Sequence, residues 1–102
     1  MALEILGKGI TKFDGSDFQT WKFEIKQLLI AHGLEDVVDG TRVRPAGDGA
    51  NAAVKAWIKD NAKAMSLIVL SLEREQLRGL TTCTTANNMW DTLVGIYEQQ
   101  SA

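Results

Sequence analysis

Residues 13–40, FDGSDFQTWKFEIKQLLIAHGLEDVVDG, put apolar side chains on two opposite sides of one helix, and this limits what the chain can become. With successive side chains about 100° apart, Phe18, Trp21, Ile25, Leu28, Leu29 and His32 share one sector, a core-facing stripe. Phe23 and Ile30, seven residues apart, fall almost opposite that stripe, beside Lys26 and Gln27, where a surface helix is normally polar. A helix that is apolar on two sides is either sandwiched within its own domain or covers its second face with another molecule. Ser16 or Asp17 can cap the first turn, where acidic charge suits the helix dipole, and Gly33 is the stop.

A chain of 102 residues makes a single domain that buries roughly two-thirds of its unfolded surface. A hydrophobic content of 45% with 24% charged residues excludes wholesale disorder. The net charge of −2 argues against a dedicated nucleic-acid surface, which would show as clustered basic excess. Cys83 is the single cysteine, so no internal disulfide forms, and with His32 as the single histidine there is no closed zinc site. No apolar run is long enough to span a membrane and the N-terminus lacks a signal-peptide pattern, so the expectation is a cytoplasmic protein without a membrane partner.

Residues 1–12 are too broken by Gly7 and Gly9 for a good helix and read as an N-terminal arm, extended or closed into a hairpin through Gly7, Lys8 and Gly9. Residues 13–102 form the helical domain. Leu34, Val37 and Val38 supply about one helical turn ending at Gly40, and residues 40–50 hold three of the nine glycines and the only proline, a surface loop. A long helix over residues 51–72 aligns Val54, Trp57, Ile58, Ala62, Met65, Ile68, Val69 and Leu72, with Lys55, Lys59 and Lys63 on another side. Leu67 and Leu70 fall off that stripe, making the end of this helix apolar nearly all round; a strand over residues 67–72 is the rival reading. A short helix over residues 73–80 and a last helix capped by Thr84 or Thr85, carrying Ala86, Met89, Trp90, Leu93, Ile96 and Tyr97, complete the chain. The expectation is an all-α compact bundle of four to five helices, with Phe18, Trp21, Ile25, Leu28, Trp57, Met65, Ile68, Trp90, Leu93 and Tyr97 as core anchors.

Little in this chain points to catalysis. His32 lies at a helix end with no marked nucleophile, and reads as a cap or core-edge residue. Cys83 sits in a threonine-rich turn without an activating partner. Glu35, Asp36 and Asp39 lack the calcium-loop pattern, and Gly47, Asp48 and Gly49 lack the Lys and Ser or Thr of a phosphate loop. We therefore expect no enzyme, no catalytic residues, no metal and no cofactor. Lys55, Lys59 and Lys63 read as a solvated face. Arg42 and Arg44 are candidate polyanion contacts if several copies gather their loops around an axis. Phe23 and Ile30 are the candidate oligomer interface.

The ordered set of segments resembles the Gag capsid region of copia-type LTR retrotransposons over residues 10–98. The likeness is carried by Phe13 and Gly15 before the helix of Trp21, by Val37, Val38, Asp39 and Gly40, by Trp57, by Ser71 and Leu72, and by Trp90, Leu93, Tyr97 and Glu98. The resemblance implies a retroviral-capsid N-terminal-domain-like fold that self-associates, as a capsid oligomer or ring, into a virus-like particle around element RNA. No second helical domain follows Gln100 and no Cys and His knuckle is present, so RNA is expected to be enclosed through regions outside this chain. The alternative is a domesticated Gag-derived module that binds a protein or RNA.

Overall fold

The computed structural model describes residues 11–98. They form five α-helices: α1 (Phe18–Ala31), α2 (Glu35–Asp39), α3 (Ala52–Leu70), α4 (Arg74–Leu77) and α5 (Ala86–Leu93). A 3₁₀ turn, Arg78–Leu80, extends α4, and a π turn, Val94–Glu98, extends α5. This is an all-α bundle. The expected arm falls largely on residues 1–10, so the hairpin through Gly7 and Gly9 lies outside the described residues.

Local sequence explains the helix ends. Of the two candidate caps of α1, Asp17 takes the role: its carboxylate accepts from the Thr20 N–H at 3.4 Å, with its own backbone at φ 51°. Ser16 instead donates from both N–H and Oγ to the Asp14 carboxylate, which holds that carboxyl below its ordinary range. At the other end Gly33 adopts φ 70°; its N–H reaches Ile30 O at 3.0 Å and the Leu34 N–H reaches Leu29 O at 2.9 Å. That pair of bonds is a Schellman stop, and it turns Leu34 back onto the core. Gly40 closes α2 at φ 87°, and a β-carbon there would lie 3.0 Å from the Asn87 amide, which bonds Val38 O. Asn51 caps α3 through the Ala53 and Val54 N–H groups, and Thr85 caps α5 through the Asn88 N–H.

The buried face of α3 keeps Val54, Trp57 and Ile68 of the expected stripe, with Met65 and Val69 partly buried against the core, but departs from it at Ile58 and Ala62. Val54, Trp57, Asn61, Ala64, Leu67 and Ile68 are buried, whereas Ile58 is 44% exposed and Ala62 is exposed. The face is rotated toward Asn61 because that amide meets the start of α5. Its Oδ1 accepts from the Ala86 N–H at 2.8 Å and its Nδ2 lies 3.4 Å from Thr84 O. A buried amide satisfied on both sides costs little, and it supplies an acceptor to a first-turn N–H that has none inside its own helix. Leu67, which the apolar count places off the stripe, is fully buried, while Leu70 is 43% exposed. Residues 67–70 are helical rather than a strand.

One feature ties the start of the domain to the end of α3. Phe13 and Leu72 form an isolated parallel bridge: the Phe13 N–H donates to Ser71 O at 2.9 Å and the Glu73 N–H donates to Phe13 O at 3.0 Å. The Phe13 ring lies 5.3 Å from Trp21, 5.6 Å from Phe18 and 4.8 Å from Tyr97. Below it, Trp21 Nε1 donates to Ser71 Oγ at 3.1 Å, and that hydroxyl donates to Ile68 O at 2.7 Å. Trp90 joins the cluster, 5.8 Å from Trp21. Among the ten core anchors, Phe18, Trp21, Ile25, Trp57, Ile68 and Leu93 are buried, and Leu28, Met65, Trp90 and Tyr97 are partly buried and packed against the same core.

Trp21→Ala should lower the unfolding free energy by about 3–5 kcal/mol. Trp21→Phe, which keeps most of the ring but removes the N–H, should cost much less, because the Ser71 hydroxyl still donates to Ile68 O. Chemical denaturation of both variants checks the pair; equal losses would show that the indole N–H, not the buried ring, holds the site.

Candidate interaction surface

Helix α1 presents its second apolar face to solvent. Phe23 is 66% exposed and Ile30 45% exposed, with exposed Lys26 and Gln27 between them. The opposite side of the helix, Phe18, Trp21, Ile25 and Leu29, is buried, so the chain's own core does not cover Phe23. To one side of this face, Lys22 Nζ pairs with the Glu98 carboxylate and Gln19 Nε2 lies 3.4 Å from it, joining α1 to the π turn. Lys22 first, then Gln19, holds the Glu98 carboxyl below its ordinary range.

The two arginines part company. Arg42 belongs to the fold: its guanidinium lies 2.8 Å from the Asp60 carboxylate and 3.9 Å from that of Asp36. Its N–H donates to Asp36 O and its carbonyl accepts from Trp57 Nε1 at 3.1 Å. A cation already shared by two carboxylates has little left for a polyanion. Arg44 is exposed, as are Lys55, Lys59 and Lys63. The structure therefore does not bring Arg42 and Arg44 together as a pair of open cations.

The remaining reactive side chains have ordinary surroundings. Cys83 is half-buried with its Sγ 4.0 Å from Thr92 Oγ1, and His32 is half-buried at the end of α1. Asp39 accepts from the Thr41 N–H at 2.9 Å and from its hydroxyl at 2.7 Å, which lowers its pKa. Among the described residues no group of three or more His, Cys, Asp or Glu could hold a metal ion, and no helix is long and apolar enough to cross a membrane.

Residue counting missed a second surface. Met65, Ser66, Val69 and Leu70 of α3, with Met89 of α5, line a shallow groove of about 330 Å³. Its sequence signal is the surplus of apolar residues at the end of α3, where Leu70 is left 43% exposed. Tertiary packing buries Leu67 and leaves Leu70 outward.

A sequence model of the gag-polypeptide of LTR copia-type elements matches residues 25–102. The chain is also similar to a Retrovirus-related Pol polyprotein from transposon TNT 1-94 of Nicotiana tabacum, 30% identical over 89 residues. That match covers 86% of this chain but 6% of the relative's length. No solved structure matches.

The Glu98 contact sets a pH dependence. Its folded pKa lies below the ordinary 4.5, so its contribution is fully present above that value and is lost as pH falls through the lowered one. Thermal midpoints measured between about pH 3 and pH 7 should fall on the acid side, with a smaller fall in Glu98→Gln than in the wild type. Identical slopes would show that the contact with Lys22 contributes nothing to stability.

Proposed function

This chain belongs to the gag-polypeptide family of LTR copia-type elements, and from that premise we propose that it is a self-association domain whose copies build a capsid or virus-like particle shell in the cytoplasm. In this reading residues 13–102 are the assembling domain, residues 1–12 an arm, and element RNA is enclosed through regions outside this chain. The observation that carries it is the exposure of Phe23, at 66%, on a helix whose other face is fully used by the core. Large aromatic side chains left in water beside a second apolar residue are characteristic of surfaces that are covered in an assembly. Among the described residues α1 exposes two large apolar side chains, Phe23 and Ile30, so in this reading each contact is weak and a shell gains its strength from repetition.

An RNA-binding module is the alternative. It draws on the exposed Lys55, Lys59 and Lys63, but Arg42 is held by Asp60 and Asp36, and the net charge of −2 supplies no general attraction for a polyanion. RNA titrations over a salt series separate the two readings.

Sedimentation over a concentration series should show the average mass of the wild-type chain rising, and Phe23→Glu should weaken association by about tenfold or more, equivalent to at least about 1.4 kcal/mol. The melting temperature of the variant should stay within about 4 °C of the wild type, as expected for an exposed position. A variant that unfolds would show that Phe23 is covered within its own chain and would sink the proposal.

A further inference from the structure

We propose that the segment before α1 is an exchangeable strap: Phe13 of one copy takes, on a neighbouring copy, the seat that it fills on its own chain. The structure shows that seat occupied. The Phe13 ring is 2% exposed and lies among Phe18, Trp21 and Tyr97, while its N–H donates to Ser71 O at 2.9 Å and its carbonyl accepts from the Glu73 N–H at 3.0 Å. These partners belong to α1, to residues 71–73 and to the π turn, none to the strap itself. The seat therefore has no means of telling its own Phe13 from that of a second copy. The inference deepens the self-association reading and rests on it in one respect, that copies are held side by side.

The link between strap and helix is short and strained in its closed form. All four residues from Asp14 to Asp17 are exposed. Gly15 stands at φ 101°, and Asp17, which has a side chain, stands at φ 51° in the left-handed region. An N-cap residue ordinarily has an extended backbone. Asn51 at the start of α3 and Thr85 at the start of α5 both do, so Asp17 is the exception among the three side-chain caps of this chain's described residues. The link also passes tightly over Gln76. A β-carbon on Gly15 would lie 3.2 Å from its Nε2, and its buried Oε1 has no hydrogen-bond partner among the described residues. Handing the strap to a neighbour keeps every contact of Phe13 and lets the link straighten, which gives Asp17 an ordinary cap geometry and uncovers the Gln76 acceptor. Against this stand the two hydrogen bonds from Ser16 to the Asp14 carboxylate, which hold the link in its turn.

Tethering decides which seat is filled. A short link gives the chain's own seat an effective concentration in the mM range, so a dilute chain closes on itself. Neighbours in an assembly reach that concentration when the second seat lies within the span of the four link residues, about 14 Å when extended. Reciprocal exchange joins two copies about a two-fold axis, and a strap passed from each copy to the next makes a ring or a filament. Either way, copies become joined through a core contact in addition to the exposed face of α1.

The test uses Phe23→Glu as its background, which removes the α1 contact from the measurement. Gly15→Pro is then added: proline holds φ near −65° and biases Asp14 toward an extended backbone, so the closed link cannot form while the straight one can. Sedimentation should show this chain associating at least about tenfold more tightly than the same chain with Gly15, and Phe13→Ala should abolish the gain. A Gly15→Pro chain that is folded and monomeric overturns the exchange and leaves the α1 reading standing; so does association that survives Phe13→Ala. If Gly15→Pro does not fold, a paramagnetic measurement on the chain with Gly15 and Phe23 decides. A copy carrying a nitroxide on Lys12→Cys, with Cys83→Ser to leave one thiol, is mixed with isotope-labelled wild type at the highest soluble concentration. The Trp21 indole N–H signal of the labelled copy should broaden, and the effect should vanish when the nitroxide copy also carries Phe13→Ala, which keeps the α1 face. Equal broadening in the two mixtures, or none in either, overturns the exchange. A wild-type chain that stays monomeric sinks the α1 reading without altering the Gly15→Pro result.

Discussion

The indole of Trp21 and the hydroxyl of Ser71 form the joint on which the rest of the domain depends. Ser71 is 1% exposed, accepts from Trp21 Nε1 and donates to Ile68 O, so a polar residue at the end of α3 is satisfied in a place where an unpaired hydroxyl would be costly. Its backbone carbonyl takes the Phe13 N–H, which lays the segment before α1 alongside Leu72. One residue thereby ends a helix, holds the central tryptophan in one rotamer and receives the start of the domain. The aromatic rings of Phe13, Phe18, Trp21 and Tyr97 gather over this joint at centroid separations of 4.8–5.8 Å, within the range where edge-to-face and offset pairs add to simple burial.

The last helix reaches that cluster by an irregular route. At its start, Asn61 supplies the acceptor for the Ala86 N–H; at its end the chain widens into the π turn Val94–Glu98, a rare geometry that changes the phase of the side chains. Tyr97 then packs against Phe13 and Phe18, Ile96 is left 39% exposed, and Glu98 meets Lys22 on α1. The two ends of the described chain thus meet each other on the same helix, through Phe13 and Tyr97.

With α1 held on one side by these contacts, its other side is free for a different use. Phe23 and Ile30 face water because the core has no second layer to cover them, and half-exposed Leu70 helps to line the groove at Met65, Val69 and Met89. A small all-α domain that buries one face per helix retains surfaces of this kind, and it is on the exposed face of α1 that the proposed self-association rests. The loop after α2 is bound to the domain by Arg42, whose charge serves Asp60 and Asp36, so that loop contributes shape more than free charge.

Local pattern was enough for the all-α class, for the stops at Gly33 and Gly40, and for the two-faced character of α1, because helix periodicity, capping and positive φ depend on near neighbours in the chain. It also carried the family likeness, since the order of aromatic and glycine positions is itself local information. The buried face of α3 was legible at Val54, Trp57 and Ile68, and at Leu72 just past its end, but not at its middle, because a count of apolar residues ranks Ile58 above Asn61, and only the N–H of Ala86 arriving from another helix makes Asn61 the better core residue. The same holds for Arg42, whose role is set by Asp60 eighteen residues away, and for the groove, whose lining is drawn from both α3 and α5. Sequence alone determined which segments are helices and which apolar residues α1 holds in excess; tertiary structure decided which side of α3 is inside and where the surplus surface lies, because those outcomes depend on hydrogen-bond partners and packing supplied by residues distant in the chain.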